Sequence, residues 1–434
     1  MRLLFLSIII LASMLVNAQK TINTEEILKN GIKINFTEDG KNFAKIGLGA
    51  QIWARFSEFN EKTSPSYGDK RSSEFDISLR RSFFSIYTKF DRFTVFSMIG
   101  VSSQPNNTAT TTGKNAEFFL YDMWGSYRII DDHLTLGMGL NMYSGLSRYS
   151  SATSSKALSA DVPFVACPDL TKGSQNARHL GFFATGKFGM FDYRLTLAKP
   201  FNAENIKYNV TKDKDGKITT IPTTNTAYEI ASNNLAVKGY FTMQLWDKET
   251  HEMPFKAGTY IGKKKVLNFG VGFDYTPEST ITFNTNGTET LNDKFHLAAD
   301  VFMDLPLKNG DAITFYTGIF KFDYGQNYYL NYNVMDKHKQ LGEPQQGTGI
   351  AINSQIAYLL PSKSAIKLQP YYTFDYKNYE ALNDIALHHN MGLNFFMAGH
   401  KAKFGLEYQL RPYFSGANFD SYKSMGIFKM SFSI

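Results

Sequence analysis

Eight basic residues stand where a charged side chain could face an aqueous passage: Arg55, Arg80, Arg128, Arg148, Lys238, Lys401, Lys403 and Arg411. A guanidinium or ammonium group replaces part of an anion's hydration shell. Such groups around a lumen would favour anions. Their placement comes from alternation. Over 44–57, Lys45, Gly47, Gly49, Gln51, Trp53 and Arg55 share one face, and Ala44, Ile46, Leu48, Ala50, Ile52 and Ala54 share the other. Lys403 and Arg411 likewise oppose Phe404, Leu406 and Tyr408. Arg148 differs, because it opens the longest early loop, 144–177. A second reading stays open at each position. Inward cations often only pair with inward acids, here Asp122, Asp300 and Glu407, in a solvated wall. A one-residue slip at a bulge would also flip the assigned face.

The elements that must carry these residues are strands. The same period-two alternation recurs in roughly sixteen segments and runs to the last residue, Ile434. Leu267, Phe269, Val271 and Phe273 oppose Asn268, Gly270, Gly272 and Asp274, and Phe428, Met430 and Phe432 oppose Lys429, Ser431 and Ser433. In the second segment the apolar face moves from Phe75, Ile77 and Leu79 to Phe84 and Ile86, which predicts a bulge at Arg80–Arg81. Apolar residues facing lipid and small or polar residues facing water require a closed barrel, because a bilayer tolerates no open sheet edge. A strand of ~11 residues at ~3.3 Å each, tilted by ~40°, spans about the ~25 Å apolar band.

The connections alternate in length. Short turns fall near 91–92, 129–132, 189–190, 306–310, 360–363 and 398–399. Long loops fall near 58–73, 103–116, 144–177, 200–233, 276–292, 324–347 and 412–422. Two connections break the rule, a long turn at 247–263 and a short loop at 378–384. The expected fold is therefore an all-β, transmembrane antiparallel β-barrel of about 16 strands, with an inward-folded constriction loop. Loop 144–177 is the candidate constriction. Its Val162, Phe164, Val165, Pro163 and Pro168 are expected to pack on the inner wall, against the alternative of an external cap or a subunit contact. A soluble sandwich would not need alternating loop lengths.

Residues 1–18 read as a secretory signal peptide, with Arg2, an apolar run over 3–16 and a small-residue cleavage site at 16–18. Residues 19–43 form an N-terminal periplasmic segment and 44–434 the barrel. No later stretch is long and apolar enough for a spanning helix. Net charge is +7 over 434 residues, which is mild, and no dense Lys/Arg run points to nucleic acid. The single Cys167 forms no internal disulfide. Aromatic residues make up 15%, enough for interfacial girdles. Asp213–Gly216 has the start of a calcium loop without its closing Glu, and His388–His389 alternate faces, so no metal and no cofactor is expected. No local signature ties a nucleophile to a base, which argues against an enzyme. Trp53 and Trp246 read as inward and keep a third class open, a specific binding or uptake barrel for oligosaccharides or hydrophobic solutes.

Several stretches together resemble the phosphate-selective porin (porin O/P) family and its outer-membrane relatives from Bacteroidetes-type bacteria. They are residues 51–55 (QIWAR), 75–81 (FDISLRR), 137–150 (GMGLNMYSGLSRYS), 239–247, 262–272, 369–371, 392–394 and 399–401. The resemblance covers nearly the whole mature chain. It departs at Met142–Tyr143, where the family often has Pro-Phe, and at the C-terminus, where Ile434 replaces a terminal aromatic. It implies a 16-stranded channel, a homotrimer in outer-membrane lipid, passing small anionic solutes.

Overall fold

Sixteen antiparallel strands close into a ring in the computed structural model, which describes residues 31–58, 72–102, 118–143, 145–168, 177–199, 211–212, 218–220, 225–230, 232–286, 288–331 and 341–434. The expected leader over 1–18 and the turn at 213–216 lie outside the described residues. The strands are β1 (Phe43–Glu58), β2 (Ser73–Phe90), β3 (Phe93–Ser102), β4 (Phe119–Ile130), β5 (Leu134–Asn141), β6 (His179–Phe188), β7 (Phe191–Ala198) and β8 (Ala236–Gln244). They continue as β9 (Val266–Phe283), β10 (Glu289–Pro306), β11 (Ala312–Asp323), β12 (Gly349–Leu359), β13 (Lys367–Tyr379), β14 (Ala386–Phe396), β15 (Ala402–Ser415) and β16 (Asn418–Ser433). Each pairs with the next. Closure comes from β16 returning to β1, from Gly49↔Ser433 to Ser57↔Met425. Below that seam, Ile32–Asn35 pairs with the start of β1, and Ile434 exchanges backbone hydrogen bonds with Leu48.

The alternation explains the ring. Phe75, Ile77, Met138, Leu180, Phe182, Val271, Leu406 and Phe428 are exposed outward, while Trp53, Arg55, Asp122, Lys238, Asn268, Gln355 and Lys403 are buried inward. An outward apolar belt around an inward polar wall is the pattern a lipid bilayer imposes on strands. Phe90, Phe93, Tyr127, Phe188 and Phe191 mark the ends of strands on the short-turn side. Rings in this position lie at the membrane–water boundary.

Three expectations need correction. The connections at 276–292 and 412–422 are not long loops. β9 continues to Phe283, which pairs with Glu289 at the start of β10, and β15 and β16 continue to a turn at 416–417. Above the apolar belt both faces meet water, so the hydrophobic period disappears while the ladder persists. Thr280, Thr282 and Asn292 hold it there by side-chain hydrogen bonds. The alternation of the fifth segment, Leu134, Leu136, Met138, Leu140 and Met142 against Thr135, Gly137, Gly139 and Asn141, predicts an outward Met142, but Met142 is not on the lipid face of β5. It is buried with Cys167 and Ala177, because the chain leaves the wall after Asn141. Trp246 lies beyond the end of β8, with the Lys265 ammonium 4.6 Å from its ring centre.

Candidate pore constriction

The Asn141 side chain accepts the Tyr143 backbone N–H at 2.9 Å and turns the chain into the lumen. The root of the inserted loop then presses on glycines of the wall. A Cβ on Gly145 would lie 2.4 Å from the Gly239 nitrogen, and one on Gly272 would lie 2.2 Å from the Leu146 carbonyl oxygen. Only glycine allows that approach.

From this root, 145–168 follows the inner wall. The Arg148 backbone N–H donates to Asp300 on β10 at 2.7 Å, and the Tyr149 hydroxyl to Gln355 on β12 at 2.8 Å. Asn394 on β14 donates to the Leu158 carbonyl at 2.8 Å. Lys403 on β15 donates to the Ala157 carbonyl at 3.1 Å, and Lys429 on β16 to the Ser159 carbonyl at 2.9 Å. Glu407 accepts the Ala160 backbone N–H at 2.7 Å. Val162 and Val165 are buried, as the wall-packing expectation requires, within the main apolar cluster.

The loop is latched at β2. The β1–β2 register shifts between Gln51↔Arg81 and Ile52↔Leu79, so Arg80 is the extra residue of a bulge. Two consecutive arginines therefore both reach Asp161. Arg80 Nη2 and Arg81 Nη2 each stand 2.6 Å from its carboxylate, with Arg80 Nε at 3.2 Å. Burial alone would raise the Asp161 pKa, but the Arg80 and Arg81 charges outweigh it and hold the carboxyl at about 2.

A second segment enters from the opposite side. The 245–265 connection turns back into the barrel, and its Glu249 is buried at the hub of an ion cluster. Glu249 accepts from Arg148 Nη1 at 2.8 Å, from Arg148 Nη2 at 2.7 Å and from Asn268 at 2.6 Å, and it also bonds the Tyr260 hydroxyl. Arg148 lies 3.5 Å from the Phe302 ring centre. Burial opposes ionisation of Glu249, yet Arg148 and Lys256 keep its pKa well below the usual carboxylate range. Backbone bonds join the two insertions, from Thr153 to the Lys256 carbonyl at 3.0 Å and from Lys256 to the Ser151 carbonyl at 2.9 Å. The two insertions therefore hold each other inside the barrel.

The remaining candidate cations fall into two sets. Arg55 is paired with Asp76 at 2.7 Å, Lys238 with Asp274 at 3.1 Å, and Arg411 donates to the Ser424 carbonyl at 3.2 Å. These three face the lumen. Arg128 sits at the short-turn end of β4, 3.4 Å from Asp131, and Lys401 belongs to the turn before β15. These two lie at the rim and away from the constriction. Among buried described residues, twelve Lys and Arg side chains meet twelve Asp and Glu. The wall is balanced in charge. Sequence reasoning did not single out Arg81, Lys429 or Glu249 as site residues. The bulge and the inward phase of Lys429 were visible signals, whereas Glu249 stands in a segment with no alternation.

Neither a protein-family profile nor a curated protein matches this sequence. Solved structures do match the fold. OprB of Pseudomonas putida is 8% identical, with a TM-score of 0.54, over 90% of this chain and 94% of that one. The chain has the outer-membrane porin fold. Weaker likenesses, both at a TM-score of 0.49 and 10% identity, are to the outer membrane channel DcaP of Acinetobacter baumannii (92% of this chain, 99% of that one) and to an anion-selective porin from Comamonas acidovorans (90% and 99%). The closed barrel and its apolar belt place the protein in the bacterial outer membrane.

Proposed function

We propose that this protein is a porin for passive diffusion of small hydrophilic solutes, narrowed by the 145–168 loop and the 245–265 segment. The observation that carries this reading is the polar, charge-lined lumen inside an apolar belt, with an external loop anchored across it. The finer reading is a mild preference for small, phosphate-like anions. Its support is local. At the loop tip Arg80, Arg81, Lys403 and Lys429 surround Asp161 and Glu407, an excess of cations in a wall that is otherwise balanced. The porin O/P resemblance also supports it, and it is the basis for a homotrimer in outer-membrane lipid.

Planar-bilayer recording under a salt gradient tests the reading. Discrete conducting steps with a reversal potential on the anion side agree with it. Steps with a cation-side potential would overturn the anion preference. Neutralising Arg80 and Arg148 together is expected to move the potential toward zero, and an unchanged potential would remove those two from the selectivity role.

A further inference from the structure

We infer that a groove on the lipid face of β7 to β9, at the short-turn end of the barrel, is a binding site for a phospholipid with an anionic headgroup. The inference goes beyond the porin reading and does not depend on conduction. The groove encloses about 520 Å³ between Phe191 and Tyr193 of β7, Phe241 and Met243 of β8, and Phe269 and Val271 of β9. That size is within the range of small-molecule sites. Phe191, Phe241, Phe269 and Val271 are exposed outward, while Asp192 and Thr242, the neighbours of Phe191 and Phe241 along their strands, are buried and face the lumen. The Tyr193 ring leaves room beside it because it is drawn the other way. Its hydroxyl donates to the His133 carbonyl at 2.8 Å, and its ring centre lies 6.0 Å from that of Phe188.

The foot of the groove is a step in the edge of the barrel. The β6–β7 hairpin ends at Met190, whose carbonyl accepts the Gln244 backbone N–H at 2.7 Å. The neighbouring ladder runs further. The backbone of Leu245 donates to the Leu267 carbonyl and that of Asp247 to the Lys265 carbonyl, both at 2.9 Å. Asp247 is three residues beyond Gln244, or ~10 Å below the hairpin. Lys248 reaches back into this step, its ammonium bonding the Gln244 carbonyl. Lys264 donates to the Lys248 carbonyl at 2.6 Å, and Lys265 holds its ammonium 4.6 Å from the centre of the Trp246 ring. Lys248 and Lys265 are exposed. Asp247 is the exposed acid among them and accepts the Lys265 backbone N–H at 2.9 Å, while Glu249 is buried against Arg148. Three ammonium groups and an indole therefore meet one exposed carboxylate at the membrane–water boundary.

Groove and rim together assign the ligand. Phe269 lies four residues from Lys265 along one strand, with Leu267 between them on the same outward face. That is ~13 Å of wall. A molecule that fits both ends carries its charge at the water boundary and an apolar chain that far up the belt, which describes a phospholipid. The sign of the rim selects an anionic headgroup, because each lysine beside an anionic lipid strengthens binding about fivefold. Trp246 suits the same depth, since an indole sits best between chain and headgroup. The short-turn side faces the periplasm, so the lipid comes from the inner leaflet.

The test uses the folded full chain in phosphatidylcholine vesicles and reads its own fluorescence. Trp246 is the reporter, because Trp53 and Trp124, the other two tryptophans, are buried inside the barrel. Phosphatidylglycerol brominated near the head of each chain quenches an indole on contact, and phosphatidylcholine brominated at the same place is the comparison. Quenching should show phosphatidylglycerol preferred about twentyfold at low salt, from two exposed lysines. The preference should fall to about twofold or less in Lys248→Gln/Lys265→Gln. Val271→Phe puts a ring into the groove and should weaken quenching by phosphatidylglycerol several-fold with the lysines intact. Equal quenching by the two lipids in the wild type would overturn the proposal, and that comparison needs no variant to fold. A preference that survives in the lysine variant, or that persists in Trp246→Phe and so arises elsewhere, would also overturn it. Sedimentation in detergent reads the rival occupant. An oligomer that breaks up in Val271→Phe would show a second copy of the chain in the groove and overturn the lipid site.

Discussion

Replacing Asp161 by asparagine removes one charge and leaves the shape of the loop tip almost unchanged. Three short contacts are affected, two at 2.6 Å and one at 3.2 Å. Breaking a buried ion pair by removing one partner costs ~3–5 kcal/mol. Asparagine still offers one acceptor, so the lower end applies, about 3 kcal/mol, or ~10²-fold in the equilibrium between latched and released loop. Acid gives an independent route to the same number. The folded carboxyl is held at about 2, below its ordinary 3.8. A depressed acid contributes stability above its unfolded pKa and loses it as pH falls through the folded one. The latch should hold unchanged down to about pH 4 and release progressively toward pH 2, losing ~2–3 kcal/mol. Single-channel recording is the assay. Wild type at neutral pH should give quiet open steps. Asp161→Asn should give noisier and on average larger steps, and wild type should approach that behaviour only as the pH nears 2. Identical noise and conductance in the variant, with the protein folded, would refute the latch.

Other consequences follow from the same geometry. Glu249→Gln should free the 245–265 segment from Arg148, destabilise the barrel by ~3 kcal/mol or more, and increase conductance; a thermal-unfolding midpoint and a conductance equal to wild type would contradict this. Gly272→Val places side-chain atoms where the Leu146 carbonyl stands and should displace the loop root, seen as rapid proteolysis within 145–168 of the folded barrel; full protease resistance would count against the packing. A cysteine at Leu406 should react with lipid-soluble thiol reagents and one at Gln409, inward and half-buried, with water-soluble ones, and the reverse labelling would overturn the assignment of faces.

The barrel was legible because a bilayer forces one face of every spanning residue pair to be apolar. Leu267 to Phe273 and Phe428 to Phe432 show it residue by residue. The bulge was legible for the same reason, since a phase change between Leu79 and Phe84 has no other local cause. The signal ends where lipid ends. Thr280 to Phe283 and Glu289 to Asn292 continue a hairpin with no apolar face to reveal it, and Met142 turns inward because an Asn141 side chain bends the backbone. The roles of the basic residues were less legible. Alternation puts Lys403 and Lys429 in the lumen, but whether each meets solute or the carbonyl of Ala157 or Ser159 depends on where a distant loop lies. The Glu249 hub was not legible at all, because 245–265 has no period and its partners Arg148 and Asn268 come from other parts of the chain.

Liposome swelling tests the central claim most directly. Proteoliposomes carrying the folded full-length chain are shifted into solutes of graded size, from small sugars to oligosaccharides. A diffusion pore narrowed by two inserted segments predicts swelling that is fast for small solutes and falls steeply with solute size, and that speeds up for larger solutes in Asp161→Asn. Swelling no faster than protein-free liposomes at every size, from protein shown to be folded, would contradict the account.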